Sequence, residues 1–190
     1  MFTLRQPLIL ASNSPRRQQL LREMGYAFTV EVRETAEDFP ADMAPAEVPA
    51  YLARKKAQAF AGLRERIVLT ADTVVIVEGQ LLNKPADADE ARRMLRLLSG
   101  RMHEVVTGVC VRTEEESRVF SDLARVFFKP LADQEIDHYV RHYRPYDKAG
   151  AYGAQDWLGL VGIERIEGSY FTVMGLPTHR VYTALQEFVQ

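Results

Sequence analysis

Apolar and polar positions along the chain fall into short runs whose periods name the elements. Leu8-Ile9-Leu10 is unbroken and apolar, the pattern of a strand buried on both faces. Ser14 then offers the oxygen an N-cap needs, and Pro15 suits the first helical position because it has no N–H to leave unpaired. Leu20, Leu21 and Met24 share one face at helical spacing, and Gly25 can take the left-handed conformation that ends a helix. Tyr26, Phe28, Val30 and Val32 alternate with Ala27, Thr29 and Glu31, predicting a half-buried strand. An alanine-rich stretch over 45–61, with Val48, Leu52, Ala59 and Phe60 apolar, predicts a helix that stops at Gly62. Ile67 to Val77 is the most β-prone run, Glu78-Gly79-Gln80 makes a turn, and Leu81 to Pro85 returns.

The second half continues in the same way. Residues 87–98 predict a helix with Met94, Leu95 and Leu98 as its stripe, ended at Gly100. His103 to Val111 and Arg118 to Phe128 predict a hairpin around the solvated turn Glu114-Glu115-Glu116. Asp133 can cap a helix carrying Ile136, Tyr139, Val140 and Tyr143, and Pro145 to Gln155 is a small, polar loop with two glycines. Leu160 to Ile166 and Tyr170 to Met174 predict a further hairpin across Glu167-Gly168-Ser169, and Thr178 a cap for the last helix, with Val181, Tyr182, Leu185 and Phe188 inward. Early alternation of strands and helices followed by a β-rich block predicts an α/β class with a mixed sheet. With no repeat or linker, residues 1–190 read as one continuous fold.

Composition narrows the partners. At 190 residues the chain suits one domain, or one domain with two lobes. A net charge of −2 argues against overall nucleic-acid or membrane affinity, so any phosphate recognition must be local. Cys110 is the only cysteine, which excludes an intramolecular disulfide; its apolar neighbours Val109 and Val111 make it core. No signal-like or membrane-spanning run occurs, so a cytoplasmic protein is expected.

The candidate chemistry is charged. Free N–H groups and the positive dipole end of the first helix converge with Ser12, Ser14, Arg16 and Arg17; two arginines at that end are unfavourable unless an anion answers them, and a phosphate chain is the anion expected. Asp72 interrupts an apolar strand, so it should lie at a strand end or meet a cation or a metal. Glu34, Glu37 and Asp38, three acids within five positions, fit either a solvated loop or a ligand set. One of the lysines in Arg54-Lys55-Lys56 could reach inward from its helix or stay solvated. Lys84 stands just before the chain-redirecting Pro85. His138 and His142 have metal-ligand spacing but lack the companions of a zinc motif, which favours a solvent-facing pair. Neither a P-loop nor a dinucleotide-binding glycine motif is present.

Ser12-Asn13-Ser14-Pro15-Arg16-Arg17, Ala71-Asp72-Thr73, Lys84-Pro85, Ser99-Gly100 with His103, Asp147 to Gly153 with Gln155, and Gly168-Ser169-Tyr170 with Gly175-Leu176-Pro177 occur in the order and approximate spacing of one family. Over nearly its whole length the chain resembles the Maf family of nucleoside triphosphate pyrophosphatases. The resemblance implies a Maf/inosine triphosphate pyrophosphatase-like α/β fold, elongated and two-lobed, with a central mixed sheet and a cleft between lobes. It implies hydrolysis of a nucleoside triphosphate to the monophosphate and pyrophosphate with Mg²⁺ or Mn²⁺, and a possible homodimer. The Asp-Lys-Ala-Gly-Ala-Tyr-Gly-x-Gln loop is similar to the branch that prefers dTTP and UTP; alternatives are 7-methyl-GTP as substrate, or a nucleotide-binding regulator of septum formation.

By position the resemblance makes Asp72, Glu37, Lys56 and Lys84 catalytic, with Glu37 and Asp72 on the metal and Asp72 able to take a proton from water. It puts Arg16, Arg17, Ser12 and Ser14 on the phosphates and ties Gln155 to base choice. One departure stands out: after Gln155 the family commonly has glycine, whereas here Asp156-Trp157 follow and the chain is one residue longer before Gly168.

Overall fold

The structure is a computed structural model that describes residues 3–189. Its elements in chain order are β1 (Leu8–Leu10), α1 (Pro15–Glu23), β2 (Phe28–Val30), α2 (Val48–Gln58), β3 (Ile67–Val77), β4 (Gln80–Leu82), α3 (Ala88–Leu98), β5 (Met102–Arg112), β6 (Ser117–Phe128), α4 (Asp133–Tyr143), α5 (Trp157–Gly162), β7 (Ile163–Glu167), α6 (Tyr170–Met174) and α7 (Thr178–Gln186). Among the described residues, seven strands form one mixed sheet in the order β2-β1-β3-β5-β6-β7, with β4 on β3. β1 lies parallel to β2 and to β3, pairing Leu8, Ile9 and Leu10 with Ile67, Val68 and Leu69; β4 and β7 run antiparallel to β3 and β6. The mixed α/β class expected from the pattern is the class observed.

The chain divides into two compact units. The first comprises residues 1–72, 107–122 and 175–190; the second comprises residues 73–106 and 123–174. In the first unit, β1 is buried at all three positions, as an unbroken apolar run requires. Ser14 caps α1, its Oγ accepting from Arg17 N–H at 3.5 Å, with Pro15 in the first turn and Gly25 at φ +84° beyond the end. Ile9, Ala11, Phe60 and Val68 form one apolar cluster, and Ala53, Ala57 and Cys110 another. Cys110 is core as expected, and burial pushes its thiol pKa up.

Two contacts seat α2 on the strands. Gly108 on β5 meets the first turn of α2 so closely that a Cβ would come within 2.3 Å of Pro49 and Ala50 backbone atoms. Thr70 on β3 donates its hydroxyl to the carbonyl of Ala53 at 2.6 Å.

The second unit packs Val75, Val77, Leu95, Leu98, Val126, Ile136, Tyr139, Tyr152 and Leu158 into one core. Here the expected second hairpin does not form. Residues 157–162 are helical, 163–167 make an edge strand on β6, and Tyr170–Met174 is helical. A short apolar run does not separate strand from buried helix by itself, and tertiary contacts decide. Leu158 and Gly162, four apart, share a buried helical face, and Thr172 N–H closes a turn on Ser169 O at 3.1 Å. The other differences are smaller. The strand expected over 26–32 shortens to Phe28–Val30, with Val30 and Val32 exposed. Asp133 and Thr178 begin their helices rather than cap them; at α4 the reaching-back group is Glu135, whose Oε2 accepts from Ala132 N–H at 2.8 Å.

Because Gly108 admits α2 against backbone rather than against a flexible side chain, Gly108→Ala should destabilise the protein by about 3 kcal/mol, at the upper end of overpacking costs. Chemical denaturation read by far-UV circular dichroism measures this; a loss within experimental error of zero contradicts the seating described.

Candidate functional site

Strand and helix periodicities bring the charges of the first unit together. Thr70 and Asp72 are two apart on β3 and so project to one face; Ala53 and Lys56 are three apart on α2 and so share a side. The Thr70 to Ala53 hydrogen bond fixes that register, and the next step along both elements places Lys56 against Asp72. Lys56 Nζ donates to Asp72 Oδ1 at 2.6 Å and pairs with Glu37 Oε1 at 2.8 Å. Asp72 therefore lies within a strand rather than at its end, and the cation that answers it is a lysine. The lysine and Asp72 side chains are 20% and 13% exposed, so little water screens this pair. Glu37 is 53% exposed.

The acidic loop is resolved by its partners. Glu37 goes to Lys56, while Asp38 goes to the adjacent Lys55 at 2.6 Å, a hydrogen bond that holds the Asp38 pKa below its ordinary value. Glu34 is exposed.

At the amino end of α1, the turn is bound internally through oxygen acceptors. Ser12 Oγ accepts from Ser14 N–H at 3.2 Å and from Arg17 Nη1 at 3.4 Å. Accepting in this way leaves a hydroxyl proton able to donate outward. Arg17 also donates from Nε to Gly175 O at 2.8 Å and from Nη1 to Ala71 O at 2.9 Å, which ties α1 to the residue before Asp72. Burial lowers the Arg17 pKa; Asp72 and Glu37 oppose that shift, while Arg16 adds to it. Arg17 thus feels both carboxylates and its neighbouring guanidinium, so Ser12, Ser14, Arg16, Arg17, Lys56, Asp72 and Glu37 form one electrostatic cluster. Three cations against two carboxylates leave it one net positive charge.

The donor set can be tested against a divalent ion. Among the described residues no three His, Cys, Asp or Glu side chains gather as a protein cage. Asp72 and Glu37 nevertheless reach one cation, Lys56, from two sides. Two converging carboxylates suit a hard ion such as Mg²⁺, which keeps waters and takes its other oxygens from phosphates, and they do not suit a softer metal needing nitrogen or sulfur.

Lys84 and Gln155 belong to the second unit. Lys84 is exposed beyond β4, beside Asn83, whose carbonyl accepts from Gly150 N–H at 3.1 Å. Gly150 has φ +68°, and a Cβ there would press on Val75 at 3.0 Å, so glycine is needed for both reasons. Gln155 is half-buried, and its Oε1 is buried with no hydrogen-bond partner among the described residues.

The loop leading to Gln155 is anchored by a buried pair the motif pattern only hinted at. His103 Nε2 lies 2.7 Å from Tyr152 Oη, and both rings pack edge-on with Phe128. Burial drives the His103 pKa down from 6.5 to about 3 and pushes that of Tyr152 up, so both are neutral. His138 and His142 are exposed, their rings tilted against one another with centroids 4.3 Å apart, in keeping with a solvent-facing pair.

This fold defines a mixed-sheet α/β protein of the type seen in the Staphylococcus aureus Ham1 protein. That solved structure is similar with a TM-score of 0.50 at 15% identity, over 67% of this chain and 73% of its own. Residues 7–188 match the family model described as Maf-like protein, and the chain belongs to that family. It is 50% identical over 186 residues to a dTTP/UTP pyrophosphatase of Porphyromonas gingivalis, covering 95% of this chain and 94% of that protein. Proteins of the same description from Cytophaga hutchinsonii and Flavobacterium psychrophilum are each 44% identical, covering 95% and 94% of this chain and 83% and 92% of their own lengths. Among the described residues no helix is long and apolar enough to cross a membrane.

The buried imidazole sets a pH dependence. Unfolded, it takes up a proton as pH falls through 6.5; folded, it resists until about 3, so stability drops as pH falls through that window. Between pH 7 and pH 5 this contributes a loss of about 2 kcal/mol. His103→Gln, which keeps a polar group for Tyr152, should flatten the pH 7 to 5 stability profile by about that amount in urea unfolding. An unchanged slope contradicts a neutral His103.

Proposed function

We propose that this chain hydrolyses dTTP and UTP between the α- and β-phosphates, releasing the monophosphate and pyrophosphate. The observation that carries this reading is Lys56 held between Asp72 and Glu37, in one electrostatic cluster with Arg16, Arg17 and the capped end of α1. A site with one net positive charge, hydroxyl donors and a carboxylate base is suited to a polyanion that must be attacked by water. Kinship at 44–50% identity with proteins described as dTTP/UTP pyrophosphatases supports the choice of substrate.

Each residue then has work to do. Asp72, oriented by Lys56 on Oδ1, accepts the proton of the water that attacks the α-phosphorus. Arg16, the Ser12 and Ser14 hydroxyls and the first-turn N–H groups of α1 bind phosphate oxygens, and Lys84 adds a further cation. Arg17 does part of its work by holding Ala71 and Gly175 in place. Lys56 keeps the two carboxylates together before substrate arrives and neutralises charge on the departing pyrophosphate. Asp72 and Glu37 would hold a Mg²⁺ or Mn²⁺ ion, whose chemistry is to neutralise phosphate charge and acidify water. The half-buried amide of Gln155 reads the base: its unmet oxygen suits the imide N–H that uracil and thymine share.

Pyrophosphate release across dTTP, UTP, CTP, ATP and 7-methyl-GTP, with and without Mg²⁺, tests the assignment. The kcat/KM values for dTTP and UTP should exceed those for CTP, ATP and 7-methyl-GTP, and turnover should require the ion. Asp72→Asn should lower kcat by about 10²–10⁴-fold with unchanged circular dichroism, the range lost with a general base. Turnover by Asp72→Asn near that of the parent, or a preference for 7-methyl-GTP, overturns the reading.

A further inference from the structure

Gln155 is third in the turn from Gly153 to Asp156, closed by Asp156 N–H donating to Gly153 O at 3.1 Å. One hydroxyl grips both ends of this turn. Tyr139 Oη, from α4, accepts from Gly153 N–H at 3.0 Å and donates to Asp156 Oδ2 at 2.7 Å. Tyr139 has no exposed surface, and its ring stacks on Tyr143 at 5.0 Å, so the hydroxyl has little freedom to move. Burial and the contact with Asp156 push its pKa well up, which keeps the proton on oxygen as this double role requires.

The surroundings leave the turn no slack. A Cβ on Gly153 would come within 2.6 Å of Asp156 Oδ2, so the bare glycine is what lets the carboxylate fold back over the turn. A Cβ on Gly159 would come within 1.9 Å of Ala154 O, so α5 presses on the turn from beyond it. Lys148 Nζ stands 3.7 Å from Asp156 Oδ2 and 2.7 Å from Asp147 Oδ1, and so balances the carboxylate's charge. Within this frame the amide oxygen of Gln155 is buried with no partner among the described residues.

We propose that the Tyr139 hydroxyl is a positioning group for base discrimination: by tying Gly153 to Asp156 it fixes the backbone on both sides of Gln155 and so aims the amide before substrate binds. The proposal rests on the reading that Gln155 meets the base. Neither Tyr139 nor Asp156 touches the reacting atoms in this scheme. Their influence is on which base is accepted and on KM, not on the chemical step.

Tyr139→Phe removes one oxygen and keeps the ring. UTP and CTP differ in the donor and acceptor pattern an amide would read, so the ratio of their kcat/KM values is the measurement. That ratio should fall by about tenfold, the worth of one well-made hydrogen bond, through a rise in the KM for UTP, with kcat for UTP little changed. Asp156→Ala should shift the ratio in the same direction, and Asp156→Asn, which retains an acceptor for Tyr139, should restore it; this pair carries the test should Tyr139→Phe fold poorly. Gln155→Ala separates the two levels. If Gln155→Ala leaves the ratio unchanged, the base reading fails and this proposal with it. If Gln155→Ala lowers the ratio while Tyr139→Phe or Asp156→Ala does not, or if these two lower kcat for both substrates alike, Tyr139 is merely structural and the proposal is overturned.

Discussion

The contact on which the first unit turns is the ammonium of Lys56 between Asp72 and Glu37. A carboxylate within an apolar strand is costly unless a cation meets it, and a lone lysine amid two acids would in turn be unbalanced without Arg16 and Arg17 near. No member of the cluster can be understood alone. Asp72, the most buried carboxylate of the cluster, is tolerable where it sits because Lys56 meets it, and removal of that lysine leaves it desolvated without its ion-pair partner.

Neutral contacts hold that cluster in place. Thr70 on Ala53 and the bare backbone of Gly108 against Pro49 and Ala50 set the height and distance of α2, and with them the reach of Lys56. Arg17 performs the corresponding service for α1, bonded to the carbonyls of Ala71 and Gly175. The energetics divide cleanly. Short-range packing and neutral hydrogen bonds fix the elements, and the charges then meet without having to pull the structure into shape, which is the preorganisation a polyanion site needs.

Legibility in the sequence followed the range of the interactions. The capped start of α1, the buried β1 and the amphipathic α3 are local, and their signals were plain in Ser14-Pro15, Leu8-Ile9-Leu10 and the Met94, Leu95, Leu98 stripe. The fate of residues 157–174 was not, because Trp157 to Met174 is rich in residues that suit a strand, and helix α5 forms only where Leu158 and Gly162 find a core to face. At the candidate site, Asp72 announced itself by interrupting an apolar run, whereas its pairing with Lys56 depended on a register between strand and helix that spacing alone does not encode. Gly175, His103 and Tyr139 act through a carbonyl, a neutral ring nitrogen and a hydroxyl, and composition carries no sign of such roles. Asp156 was visible only as a departure from the family pattern; its side chain proves to be the acceptor that Tyr139 needs.

The two units solve the problem of rigidity by different means. In the first, long charged side chains are restrained by one another, and at the Lys56–Asp72 contact burial limits the screening that salt can exert. In the second, His103 with Tyr152 and Tyr139 with Gly153 and Asp156 restrain the 147–156 loop mainly through buried rings and a hydroxyl. That contrast follows from what each unit must hold still: opposed charges restrain long, flexible side chains, whereas a short glycine-bearing loop is stiffened at its backbone by a buried hydroxyl.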